Sequence, residues 1–126
     1  MKRINNVCNL ILIIIFLFIF SGCAQTETSY VYYRDLALQL NNEGKYRKAI
    51  EASEECIRLK DDIDCWIHKA NANYHLNNCM DALVNLWHVS MKDPNNELSN
   101  ILMFTLLNDP KCPELNRMLD ILNTPI

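Results

Sequence analysis

The chain has 126 residues with 12 basic and 15 acidic side chains, which gives a net charge of −3. An acidic chain without a basic cluster argues against a nucleic acid as partner and against attraction to anionic lipid headgroups. The length allows one modest domain, and its two glycines and four prolines leave long uninterrupted stretches that favour helices.

The N-terminus has the features of an export signal. Lys2 and Arg3 precede an unbroken apolar run at residues 10–20, and the small residues Ser21 and Gly22 follow it. A basic start, a short apolar run and small residues at its end are typical of a signal peptide. The run is shorter than the stretch of about 20 residues that a membrane-spanning helix requires.

Cys23 comes directly after the small pair, and the segment resembles the lipobox of bacterial lipoproteins, with Phe20 in the place where leucine is usual. The resemblance implies that a peptidase removes residues 1–22. Cys23 then becomes the first mature residue and carries acyl chains such as palmitate, which anchor the protein in a membrane. A plain secretory signal, for which Ser21 and Cys23 supply a cleavage pattern, and a retained anchor remain the alternatives.

The rest of the chain divides into a short linker and one helical domain. Residues 23–29 form the lipidated N-terminus and linker, and residues 30–126 form the domain. Residues 30–92 contain no proline and a single glycine, Gly44, and they lack the alternating apolar pattern of strands. The sequence therefore predicts an all-α domain.

An internal repeat organises this domain. A shift of 33 residues aligns Ala37 with Ala70, Gly44 with Asn77, and Ala49 with Ala82. Small alanines let antiparallel helices approach closely, and glycine or asparagine suits the left-handed residue that ends a helix. A period near 34 residues is typical of repeats made of helical hairpins.

The repeat resembles the tetratricopeptide repeat. The first copy carries Leu36, Ala37, Gly44, Tyr46, Ala49 and Ile50, and the second carries Trp66, Ala70, Tyr74, Ala82, Leu83 and a closing Asp93-Pro94. The resemblance implies a short α-solenoid with copies at about residues 30–62, 63–96 and, in degenerate form, 97–126. Phe104 replaces a small residue in the third copy. We expect a last helix from Pro113 to about Leu122 to cap the stack with Leu115, Met118, Leu119 and Leu122.

Four cysteines lie beyond residue 23. Export to an oxidising compartment favours disulfides when the count is even. Cys56 and Cys65 flank a short turn between antiparallel helices, so we favour that pair, which leaves Cys79 with Cys112. Free buried cysteines are the alternative.

Neither a metal site nor a cofactor is expected. His68 and His75 are seven residues apart on one helix, or about 10 Å along its axis, so Cys65–His68 and His75–Cys79 cannot share a zinc ion. The chain also lacks a glycine-rich loop and a nucleophile motif. We expect a protein that is not an enzyme.

Tetratricopeptide arrays bind peptides or protein surfaces along a concave face built by the first helix of each hairpin. The resemblance places ten residues of this chain on a partner groove: Arg34, Leu38, Asn41, Ile67, His68, Asn71, Tyr74, His75, Leu98 and Ile101. Thr105 is a further candidate. Part of this stripe could instead be covered by the neighbouring hairpin or by the last helix.

The combined expectation is a lipoprotein with a protein partner, at the outer membrane and facing the periplasm, because Ala24 is not the aspartate that retains lipoproteins at the inner membrane. It would act as an assembly or adaptor factor, such as a pilotin-like component of a pilus or secretion system. Only residues 24–29 separate Cys23 from the repeats, which favours a membrane-bound or membrane-embedded partner. The alternative is a structural subunit of a permanent envelope complex or homo-oligomer.

Overall fold

The computed structural model describes the backbone of residues 2–125 and the side chains of residues 3–16 and 29–125. Along that backbone six α-helices follow one another without a strand: α1 (Lys2–Asn42), α2 (Tyr46–Leu59), α3 (Ile63–His75), α4 (Cys79–Lys92), α5 (Glu97–Asn108) and α6 (Pro113–Asn123). The prediction of an all-α fold is confirmed. The Cys23 side chain lies outside the described residues, so its lipidation stays a prediction.

Helix α1 is longer than the repeat helix expected from the sequence. It begins at Lys2, upstream of Tyr30, where the first repeat helix was expected to begin. No proline interrupts this stretch, and Gly22 in its interior does not end the helix. The side chains of residues 3–16 are all exposed and contribute nothing to the core. Across the described residues, we find no helix whose apolar stretch is long enough to cross a membrane.

The helices form three consecutive hairpins that stack on one another. The hairpins pair α1 with α2, α3 with α4, and α5 with α6, and neighbouring hairpins pack through α2 against α3 and α4 against α5. Helix α3 also contacts both α1 and α5, so the first helices of the hairpins lie side by side. This arrangement is compatible with a short solenoid-like repeat.

Local sequence signals explain where the helices begin and end. Gly44 and Asn77 have φ angles of 74° and 62°, the left-handed conformation predicted for both positions. The Asp62 side chain accepts a hydrogen bond from the Asp64 N–H and caps the start of α3. Asn96 caps α5 in the same way through the Ser99 N–H. These turn and cap residues therefore determine where each of these helices begins or ends.

Small residues occupy the places where the helices cross. Ala37, Ala49, Ala70 and Ala82 are fully buried, as their repeat positions predict. The largest side chains of the core lie further along the stack, where Leu86 of α4, Leu106 of α5 and Leu115 of α6 share one cluster with Cys79 and Cys112. The third hairpin thus packs onto the second through leucines and a disulfide.

The array has a lower edge, which we define by Tyr30, the α2–α3 loop at residues 60–62, and Lys92. The Lys60 ammonium donates to the Tyr30 hydroxyl at 3.2 Å and also lies over the Tyr30 ring. Lys92 at the end of α4 pairs with Asp61 of the loop. These contacts bring the start of the first repeat helix and the ends of α2 and α4 to the same side of the molecule.

The opposite, upper edge is defined by Tyr46, His75, Cys79 and Cys112. The Tyr46 and His75 rings stack with their centroids 4.6 Å apart, which joins the start of α2 to the end of α3. The Cys79–Cys112 disulfide joins the start of α4 to the residue that precedes α6. Helix α6 therefore starts at the upper edge, and its contacts with α5 are few.

Helix α6 covers less of the stack than the sequence suggested. Leu115 is fully buried and Leu119 is partly buried, but Met118 and Leu122 are exposed. The disulfide and Leu115 both hold the first turn of α6, so the later turns are less closely packed. Phe104, which replaces a small residue of the repeat, is likewise exposed and does not enter the core.

Candidate partner-binding face

The first helices α1, α3 and α5 together form the face that we call the binding face, defined by Leu38, His68, Asn71, Leu98 and Ile101. Leu38, Leu98 and Ile101 are about half exposed, although each is a large aliphatic residue. His68 and Asn71 belong to α3, the helix between α1 and α5, and both are half-buried. The face therefore offers apolar side chains at both ends and polar ones in the middle.

Two residues predicted for the groove are buried. Ile67 is only 4% exposed and belongs to the core. Ile67 points about 100° away from His68 around the helix axis, and its side chain is covered by the surrounding core. Asn41 is also buried, and its Nδ2 donates to the His68 carbonyl at 2.9 Å, which links α1 to α3. Neither side chain is accessible to a partner in this structure.

The polar side chains in and beside the binding face are neutral or paired with an opposite charge. Arg34 lies beside it and pairs with Asp35, with Nη2 and Oδ1 3.1 Å apart. Burial lowers the pKa of His68 below its usual value, so the imidazole is neutral at neutral pH. The Thr105 hydroxyl donates to the Ile101 carbonyl within its own helix. The face thus suits an uncharged or weakly charged surface better than a charged one.

Tyr74 closes the upper end of the face between α3 and α5. Its hydroxyl donates to the Asp109 carboxylate, which raises the pKa of Tyr74 and lowers the pKa of Asp109. The bond ties the end of α3 to the turn before α6. Beside the ring lies a small apolar recess, lined on its open side by Asn71, Tyr74, Leu102 and Thr105.

His75 is exposed but already engaged. Its ring stacks on Tyr46 with an angle of 7° between the planes, and it lies 5.4 Å from the Tyr74 ring. This stack connects the first two hairpins at the upper edge. His75 is therefore mainly a structural contact between the first two hairpins, and it lies at the margin of the expected groove.

The four cysteines beyond residue 29 form two disulfides, Cys56–Cys65 and Cys79–Cys112, which are the pairs that the sequence favoured. Their Cα atoms are 6.1 and 5.8 Å apart, within the range usual for disulfides. All four are buried. The first bond joins α2 to α3, and the second joins α4 to the start of α6.

A polar cluster around Asp61 was not predicted from the sequence. The Asp61 carboxylate accepts a hydrogen bond from the Trp66 indole at 2.5 Å, pairs with Lys92, and lies 3.4 Å from His88 Nε2. The Trp66 and His88 rings pack with centroids 4.0 Å apart. The hydrogen bonds from Lys92 and Trp66 lower the pKa of Asp61 to about 2. A carboxylate held ionised in this way is a structural clamp and a poor proton donor.

Sequence reasoning could not have found this cluster, because Lys92 is 31 residues from Asp61 and no motif connects them. Its only local signal is that Trp66 follows the Asp61-Asp62 turn closely. Within the described part of the chain, we find no group of three or more His, Cys, Asp or Glu side chains arranged to hold a metal ion.

Comparisons of the chain with protein families, with curated proteins and with solved structures found no match, so the tetratricopeptide resemblance rests on the residues named above.

Proposed function

We propose that this protein is a membrane-anchored lipoprotein whose helical repeats bind a protein partner along the binding face, without catalysing a reaction. The observation that carries the proposal is the exposed pair Leu98 and Ile101 on α5, next to the apolar recess between α3 and α5. Large aliphatic side chains that lie exposed together on one face are typical of surfaces that a partner covers.

The chemistry of the face favours a helix or an extended segment with apolar side chains. An apolar side chain of the partner would sit over the recess, and the Asn71 amide at its margin would bond to the backbone of the partner. The weak charge of the face argues against the carboxylate clamp known from some tetratricopeptide domains, which needs several cations.

The sequence around Cys23 supplies the proposed location. Acylation at Cys23 would hold the domain at a membrane, and Ala24 favours the outer membrane with the domain in the periplasm. An anchored module that binds a protein there would serve as an assembly or adaptor factor, such as a pilotin-like component of a pilus or secretion system. With so short a linker, the partner would be bound to or embedded in the same membrane.

Labelling and fractionation test the anchor. Cells that produce the full chain are grown with radioactive palmitate, and membrane and soluble fractions are compared with those of a Cys23→Ala variant. We expect label in the protein and loss of both label and membrane association in the variant. An unlabelled chain together with a variant that stays in the membrane fraction would contradict the proposal.

Site-specific cross-linking in cells tests the binding face. A photoreactive side chain at Ile101 should give an adduct with a second protein, whereas the same group at Asp81, exposed on the second helix α4, should not. Equal adducts at both positions, or none at Ile101, would argue against a partner on this face.

A structural subunit is a second candidate, and the incomplete cap favours it. Phe104 and Met118 remain exposed at the end of the array, where a further hairpin of another copy would cover them. Light scattering on residues 24–126 separates the two functions. A stable dimer at low micromolar concentration favours the subunit, and a monomer favours the adaptor.

A further inference from the structure

Several of the most exposed large apolar side chains of the domain lie towards one edge. Three of them, between 61% and 73% exposed, lie on α1 and α4 within about two turns of the lower edge: Tyr32, Trp87 and Met91. Ile121 and Leu122 are also highly exposed and lie in the last turn of α6. At the upper edge, the large apolar residue nearest the turns is Met80, which is 43% exposed. Phe104, in the upper half of α5, is the exception.

The contacts of the lower edge fix where these residues are. Met91 directly precedes Lys92, which pairs with Asp61 at the α2–α3 loop. Tyr32 is two residues beyond Tyr30, which receives the hydrogen bond from Lys60. Two separate elements, α1 and α4, thus bring apolar side chains to one edge.

We infer that the lower edge lies against the membrane, with Tyr32, Trp87 and Met91 inserted in the lipid interface. The inference rests on the proposed anchor at Cys23. Tyr30 marks the lower edge, and residues 24–29 between it and Cys23 span at most about 20 Å when extended. In this structure the same six residues belong to helix α1 and span about 9 Å, so a lipid on Cys23 holds this edge closer to the bilayer surface than the upper one.

The chemistry of the edge fits the interface of a bilayer. Trp and Tyr are the residues that gather at the level of the headgroups, because their rings are apolar and their polar atoms stay hydrated. Met91, one turn from Trp87 on α4, supplies aliphatic area next to it. Lys60 and Lys92 lie at the same edge and have long stems that keep a charge in water while the carbon chain is buried.

The acidic residues at the same edge favour lipids whose headgroups have no net negative charge. Asp62, Asp93 and Glu97 lie in or next to the two loops there. Their carboxylates repel anionic headgroups and attract the ammonium groups of zwitterionic lipids. The edge should therefore contact phosphatidylethanolamine or phosphatidylcholine, and adding phosphatidylglycerol should not strengthen the contact.

Quenching of Trp87 by brominated lipid tests the inference. The full chain is produced with its signal as a Trp66→Phe variant, so that Trp87 is the remaining tryptophan, and the lipidated protein is reconstituted into phosphatidylcholine vesicles. Lipid brominated near the headgroup should lower the Trp87 emission by about half, as expected for a ring at the interface. Mass spectrometry of the same sample records whether Cys23 is acylated.

A matched pair of substitutions on α4 tests which edge of the domain contacts the membrane. Met91→Glu places a charge one turn from Trp87 at the lower edge and should abolish most of the quenching. Met80→Glu makes the same change at the upper end of the helix and should leave the quenching unchanged. Circular dichroism of each variant checks that the helices are retained.

The possible failures are distinguishable. An acylated protein whose Trp87 is not quenched overturns the inference and leaves the anchor intact, whereas a chain without acyl groups overturns the proposed function itself. Shielding of Trp87 from aqueous iodide without quenching by brominated lipid would mean that a protein surface, or a second copy, covers the edge. That result also contradicts the inference.

Discussion

At the residue scale, Asp61 joins three parts of the molecule through one carboxylate. It lies in the α2–α3 loop, and it accepts hydrogen bonds from Trp66 of α3 and Lys92 of α4. Ionic partners so far apart in sequence hold a loop only while the carboxylate is charged. Its lowered pKa therefore has a direct consequence for stability against acid.

We predict that Asp61→Asn lowers the free energy of unfolding by about 1 kcal/mol at pH 7, a value reduced from the full pKa shift because the side chain is half exposed. The folded pKa is depressed from 3.8 to about 2, so the stabilisation is present above pH 4 and is lost as the pH falls through 2. Urea unfolding of residues 24–126 at several pH values measures it. A difference that persists undiminished at pH 2 would be inconsistent with this origin.

The two left-handed turn residues provide a second test at the same scale. Gly44 has a φ of 74° and open space where a Cβ would stand, so Gly44→Ala suffers only backbone strain, about 1 kcal/mol. Asn77→Gly relieves the corresponding strain and should be neutral or slightly stabilising. Thermal unfolding of both variants decides the matter, and equal destabilisation by the two changes would refute the account of the turns.

Some of these residues were predictable and others were not, for physical reasons. Gly44 and Asn77 depend on local backbone conformation, which neighbouring residues dictate. Ile67, which was expected in the groove, is buried in the core, and its burial depends on how the neighbouring helices pack against α3. The cluster around Asp61 was not predictable, because it depends on contacts between residues about 30 positions apart. A single sequence contains no sign of such contacts.

At the element scale, the disulfides compensate for a short array. Helix α6 packs on the array mainly through its first turn, where Leu115 is buried and Cys112 is bonded to Cys79. The sequence predicted the existence and the start of α6 correctly, since Pro113 opens it. The extent of its packing depends on the stacking angle of the third hairpin, which the repeat pattern does not specify.

Removing each disulfide should have a different effect. Replacing Cys79 and Cys112 by alanine should cost about 4 kcal/mol and replacing Cys56 and Cys65 about 3 kcal/mol, because the longer loop loses more entropy when closed. Hydrogen exchange should show that the first change exposes α6 and leaves α2 and α3 protected. Fast exchange throughout α2 and α3 in that variant would show that α6 is not a separately anchored element.

At the scale of the whole molecule, the proposed anchor and the two surfaces form one arrangement. In the proposed arrangement the lower edge would face the bilayer, and the first helices would present the binding face beside it. A partner in or on the same membrane would then meet the domain in a restricted orientation, which reduces the entropy lost on binding. This arrangement depends entirely on a lipid at Cys23.

Mass spectrometry of the protein isolated from bacterial envelopes tests that dependence most directly. The N-terminal peptide should begin at Cys23 and carry acyl chains on its amino group and, through a glyceryl thioether, on its sulfur. A mature chain that begins after Cys23, or an unmodified Cys23 inside a chain that still contains residues 1–22, would contradict the proposed function and the membrane orientation together.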